Sequence, residues 1–166
     1  MSLTNILESE NTRLAKWILE EYNINSEYNI NINFQDGDRW TSLMYACDQG
    51  YDEIVELLLE REELDVNLQD KDDWTAFMLA CNRDFVEIVE RLIKREELDV
   101  NIYDGDGWTA LMYACDRGLD EIVNRLLSRE DLNINHQSDD NWSALTLAQC
   151  RGYDEIAELL ERFGAV

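Results

Sequence analysis

The chain has 166 residues, 45% of them hydrophobic, and carries 37 acidic side chains against 14 Lys and Arg, a net charge of −23. That length and apolar share suffice for one domain, while the charge sets the protein against nucleic acid and anionic membrane surfaces, whose phosphates it would repel. No apolar run approaches the roughly 18 residues of a bilayer span, and the first residues lack the basic start and apolar stretch of an export signal. A basic protein surface is the natural complement. An intracellular, cytoplasmic location is expected, with nuclear or secreted-effector placement as alternatives.

Residues 3 to 21 read as an atypical first repeat. Ile6 and Leu7 share one short helix, and Leu14, Trp17 and Ile18 recur at i, i+3, i+4 on a second. Asn11 and Thr12 separate the two as helix stop and N-cap. Glu8, Glu10, Arg13, Lys16 and Glu20 give this cap its polar outer side, as an end repeat requires. The segment Glu21-Tyr22-Asn23-Ile24-Asn25 is echoed at once by Glu27-Tyr28-Asn29-Ile30-Asn31, an insertion of about six residues that lengthens the first loop.

From there one unit recurs every 34 residues, placing Trp40, Trp74, Trp108 and Trp142 in register. The expected division is a single repeat domain: 1–35 (N-terminal cap repeat and long loop), 36–69, 70–103, 104–137 and a C-terminal cap repeat, 138–166. Thr41, Thr75, Thr109 and Ser143 follow the Trp as N-caps of a short first helix. Gly50, Gly118 and Gly152 end that helix, and Asp52, Asp120 and Asp154 open a second with an acid favourable to its dipole. The 70–103 unit has Asp84 for the Gly and Val86 for the Asp, so its helix-helix turn is expected to cost about 1 kcal/mol more. Glu161 stands where other units have Leu59, Ile93 and Leu127, the mark of a cap.

The run Trp108-Thr109-Ala110-Leu111-Met112, then Ala114-Cys115, Gly118, Asp120-Glu121-Ile122-Val123 and Leu126-Leu127, resembles the ankyrin repeat, whose signature includes Thr-Pro-Leu-His-x-Ala. Tetratricopeptide repeats share the period but need longer helices and a Leu-Gly-x-x-Tyr pattern that is absent. The resemblance spans essentially the whole chain. It implies an all-α ankyrin-repeat solenoid, helix-turn-helix units linked by β-turn or hairpin loops, with one N-terminal cap repeat and four further repeats. Two departures stand out. Ser42, Ala76, Ala110 and Ala144 occupy the usual Pro position, and Met44, Met78, Met112 and Thr146 the usual His position, so packing is expected to replace that histidine's hydrogen bonds. The link Arg-Glu-Glu-Leu-Asp-Val-Asn, present at 61 and 95, is longer than the family's and is expected to tuck Leu64, Leu98 and Leu132 under the second helix. Its near-identity fits recent duplication or consensus design.

Chemistry has few carriers. Cys47, Cys81 and Cys115 share one small buried position on helices expected ~8–10 Å apart, beyond disulfide reach, and read as reduced core thiols. Cys150 is shifted by one position and expected to be more exposed. No Cys/His spacing supports zinc, and an EF-hand frame begun at Asp104 puts Trp108 at a ligand position. The single histidine, His136, has no nucleophile at a recognisable spacing. We therefore expect no enzyme activity, cofactor or metal.

By the same resemblance, the residue before the Thr lies beside the concave binding surface of the family. Trp40, Trp74, Trp108 and Trp142 then form a ladder, with Tyr45, Leu79, Tyr113 and Leu147 on the inner helix face, Asp38, Asp72, Asp106 and Asp140 at the turns, and Asp48, Asn82 and Asp116 at the helix ends. Aromatic and acidic groups interleaved in this way suit Arg and Lys side chains. Neighbouring Trp rings about 10 Å apart would admit a partner guanidinium between Trp74 and Trp108. Such Trp can also serve hairpin packing alone. The outer run of Asp52, Glu53, Glu56, Glu60 and their equivalents reads as a solvated face. The expected function is a monomeric, non-catalytic protein-interaction module for a basic partner segment. The alternatives are an inhibitor or immunity-type protein blocking a basic, nucleic-acid-handling enzyme, a nucleotide binder using aromatic stacking, and a designed scaffold without a native partner.

Overall fold

The computed structural model describes residues 3–8 and 31–166. The cap helix expected around Leu14, Trp17 and Ile18, the Asn11–Thr12 junction and most of the insertion lie outside the described residues. Among these are nine helices and no strand: α1 (Leu3–Glu8), α2 (Ser42–Gln49), α3 (Asp52–Leu59), α4 (Ala76–Asn82), α5 (Val86–Leu92), α6 (Ala110–Arg117), α7 (Asp120–Leu126), α8 (Ala144–Arg151) and α9 (Asp154–Arg162). Each unit from 36 onward, the shorter 138–166 included, contributes one first helix and one second helix.

The first helices begin where a side-chain oxygen can satisfy a free amide. The hydroxyls of Thr41, Thr75, Thr109 and Ser143 accept from the N–H of Met44, Met78, Met112 and Thr146 at 3.1, 3.1, 3.3 and 3.2 Å. In two units the cap is reciprocal, which corrects the expectation that packing alone replaces the family's histidine. Met44 Sδ accepts the Thr41 N–H at 3.3 Å, and Thr146 Oγ1 accepts the Ser143 N–H at 2.8 Å. A third helical residue reaches back to the cap whether its acceptor is sulfur or oxygen.

The helices end as their spacing suggests. Gly50 and Gly118 adopt φ of +71° and +70°, and Asp84 takes the same left-handed conformation at +64°. A second constraint fixes the two glycines: a Cβ on Gly50 would lie 2.8 Å from the Phe85 ring, and one on Gly118 2.6 Å from the Tyr153 ring. Each ring belongs to the following unit, so the turn of one repeat is the seat of an aromatic from the next.

Helices α2, α4, α6 and α8 stack in one row, and α3, α5 and α7 in a second. The core between them is periodic, with Leu43, Ala46, Ile54, Val55 and Leu58 recurring as equivalents in each unit and Cys47 in the first three, where the last unit has the exposed Gln149. Leu64 and Leu98 are buried in the core, and Leu132 is half-buried. Polar side chains hold the register of the loops. Asn33, Asn67, Asn101 and Asn135 each donate from Nδ2 to a carbonyl of the next link, at Glu63, Glu97, Asp131 and Gly164. Their Oδ1 atoms accept from the N–H of Asp65, Asp99, Asn133 and Val166. Each such bond between repeats adds on the order of 1 kcal/mol.

Candidate partner-binding surface

Every unit opens on a turn built around one side-chain acceptor. Oδ1 of Asp36, Asp70 and Asp104 accepts the N–H of the residue two on and of the Trp four on, at 2.9–3.0 Å, and Ser138 Oγ accepts the Trp142 N–H at 3.1 Å. The first backbone N–H then closes on the Trp carbonyl, as from Asp70 to Trp74 at 3.0 Å. This bonding aims Trp40, Trp74 and Trp108 alike, half-buried just before the start of the first helix, while Trp142 is exposed. It also pushes Asp38, Asp72 and Asp106 outward into solvent.

The second carboxylate oxygen meets the inner helix face. Tyr45 donates its hydroxyl to Asp36 Oδ2 at 2.8 Å, and Tyr113 donates to Asp104 Oδ2. Burial, then the bond to Asp104 and the charges of Asp104, Asp106 and Asp116, push the Tyr113 phenol far up, which keeps it a donor. Sequence reasoning placed Asp38, Asp72 and Asp106 at the turns and did not assign this double role to Asp36 and Asp104. The available signal was the coincidence of Asp36 with Tyr45 and Asp104 with Tyr113 at one spacing.

The expected guanidinium slot between Trp74 and Trp108 is already filled. The Tyr113 ring lies 4.5 Å from Trp74 and 5.1 Å from Trp108, centroid to centroid, so the protein completes that stack itself. Trp40 instead meets Tyr45 of its own unit at 4.9 Å. Between the 36–69 and 70–103 units, a recess of about 560 Å³ is lined by Asp38, Trp40, Tyr45, Asp70, Lys71 and Asp72.

Asp48, Asn82 and Asp116, expected to face a partner, are engaged by the following unit. Arg83 pairs with Asp48 and Arg151 with Asp116, both at 2.7 Å, and Arg117 donates to the Asn82 backbone and side-chain oxygens. An arginine at the C-terminal end of α4, α6 and α8 thus staples each to the helix before. The second-helix face is partly paired too: Arg91 bridges Asp52 at 2.8 Å and Glu56 at 3.5 Å, and Arg125 bridges Glu90 at 2.5 Å.

Cys47, Cys81 and Cys115 are buried free thiols, and Cys150 is exposed. Burial raises all three, Cys115 to about 12, so none is a ready nucleophile at neutral pH. His136 stacks on Tyr103 at 5.1 Å, and its Nε2 lies 3.0 Å from the Gly107 carbonyl, a loop brace. No group of three or more His, Cys, Asp or Glu among the described residues is placed to hold a metal ion. No described helix is long and apolar enough to cross a membrane.

Stacked helix pairs whose turns present an uninterrupted row of side chains define a helical repeat protein, a class that offers a surface where enzymes offer a pocket. Family models for ankyrin repeats match residues 62–138 and 78–165 in the three-copy form and residues 24–80 in a second form. The chain belongs to the ankyrin repeat family, whose members generally mediate protein–protein interaction and are typically non-catalytic. A comparison with curated proteins finds no match.

Proposed function

We propose that the protein is a monomeric, non-catalytic interaction module that binds a basic segment of a partner protein along its turns and first helices. One observation carries this reading: Asp38, Asp72 and Asp106 stand exposed in register beside half-buried Trp40, Trp74 and Trp108, and the only ion pair on the three among the described residues is Lys71 on Asp38. By contrast, the second helices and the helix ends spend much of their charge on bonds between repeats. A net charge of −23 adds a long-range field that draws a cationic partner in and weakens with salt.

The test sets two charge-matched triple variants against an arginine-rich peptide at low and high salt. Asp38→Asn with Asp72→Asn and Asp106→Asn is expected to weaken binding about tenfold, at up to ~1 kcal/mol per exposed pair. Glu87→Gln with Glu155→Gln and Glu158→Gln on the second helices is expected to change it little. Equal losses in both would reduce the interaction to net charge and sink the assignment of the surface.

A further inference from the structure

The four units obey a pairing rule that one of them breaks. Where the turn acid is Asp36 or Asp104, a tyrosine hydroxyl nine residues on donates to its second oxygen. Where the inner-face residue is Leu147, the turn residue is Ser138, which needs no second donor. The 70–103 unit keeps the acid, Asp70, but has Leu79 in the tyrosine position, and leucine donates nothing.

Asp70 is only 4% exposed. Its Oδ1 accepts the N–H of Asp72 and Trp74, both at 2.9 Å, and its Oδ2 takes no hydrogen bond among the described residues. No fully buried side-chain oxygen there lacks a partner, so Oδ2 is reached by solvent, and Asp70 lines the recess beside Trp40. A carboxylate oxygen in so enclosed a place, without a donor, is a strong acceptor waiting for one.

We propose that this recess receives a single arginine side chain of the basic partner, its guanidinium donating to Asp70 Oδ2 and lying against the Trp40 ring. The inference rests on the basic-partner reading above and narrows it to one anchor. Three carboxylates, Asp38, Asp70 and Asp72, face the recess against one ammonium, Lys71. Lys71 is bound to Asp38 at 3.0 Å, but both side chains are largely in solvent, so this bridge yields easily. The described carboxylates form no metal-holding group, which favours an organic cation over a divalent ion. The aromatic wall selects a flat cation, and the fork of guanidinium donors can reach Oδ2 and a second carboxylate such as Asp72 together, which an ammonium point charge does less well.

The chain supplies its own blocking variant. Leu79→Tyr copies the neighbouring units, giving Asp70 its hydroxyl and placing a ring where the guanidinium would lie. The measurement is the affinity of the full chain for a peptide of four arginines spaced by glycines and for its lysine counterpart, at low salt. The wild type is expected to prefer the arginine peptide. Both Leu79→Tyr and Asp70→Asn, which keeps the Oδ1 acceptor for the turn, are expected to lose about tenfold on that peptide and most of the preference. Retained binding of the lysine peptide would leave the wider acidic surface in place. Unchanged arginine binding in folded Leu79→Tyr overturns the recess alone. If Leu79→Tyr melts early, Asp70→Asn decides, and wild-type arginine binding by that variant overturns the proposal. Failure of the wild type to bind either peptide overturns both readings.

Discussion

The junction between units 36–69 and 70–103 and the junction between 70–103 and 104–137 solve the same packing problem from opposite ends. At the first, Phe85 places its ring on Gly50 at the helix-helix turn, and the hairpin side carries Leu79 and an open recess. At the second, Tyr113 fills the hairpin side between Trp74 and Trp108, and the turn has Asp84 in place of the glycine and Leu119 in place of the ring. The 138–166 unit returns to the first arrangement, with Tyr153 on Gly118 and Leu147 inside. Each of these junctions thus seats a ring on the turn or on the hairpin side, and the hairpin side is filled where Tyr113 enters it and recessed beside Trp40. Near-identical repeats therefore present unequal surfaces.

The contact at the turn is the easiest part of this comparison to break. Gly118→Ala would place a Cβ 2.6 Å from the Tyr153 ring at a φ of +70°, and is expected to cost about 2–4 kcal/mol in urea denaturation. Gly152→Ala, with nothing within 4 Å, should cost only about 1 kcal/mol, the backbone share. Equal costs at the two glycines would show that the ring is not seated as described.

A smaller effect is expected on the hairpin side. Tyr113→Leu converts the closed junction to the open one, stranding Asp104 Oδ2 and vacating the ring stack, for a loss of about 1–3 kcal/mol. Adding Asp104→Ser, the combination found with Leu147, should recover about 1 kcal/mol, and the double variant's midpoint reads this directly. If the double variant is no better than the single, the Asp–Tyr pairing rule fails as an energetic statement.

The smallest change sharpens the comparison. Asp84 holds a φ of +64° that glycine adopts at less cost, so Asp84→Gly should stabilise by about 0.5–1 kcal/mol in the same assay. A net loss would reveal a compensating contact of the Asp84 side chain.

The period of 34, the Thr and Ser caps and the Gly turns are local facts. The caps and turns rest on residues within a few positions of one another and the period is read by counting along the chain, so helices, turns and the stacking class were legible from sequence. The buried thiols were legible for the same reason, since small apolar positions recur on one helix face. The staples from Arg83, Arg117 and Arg151 were not, because each joins residues about 35 apart whose approach depends on how far one unit is shifted against the next. The Trp spacing suggested a gap for a guest, and only the stack showed Tyr113 reaching into the gap from the following unit. Asp70 illustrates both halves. Its place in the turn follows from a repeat pattern that any reader can count, but its second oxygen lacks a protein donor only because the stack leaves a recess there and a leucine stands in the tyrosine position. Secondary structure here is set by neighbours in sequence. The surface is set by neighbours in the stack, where a single ring more or less opens or closes a site.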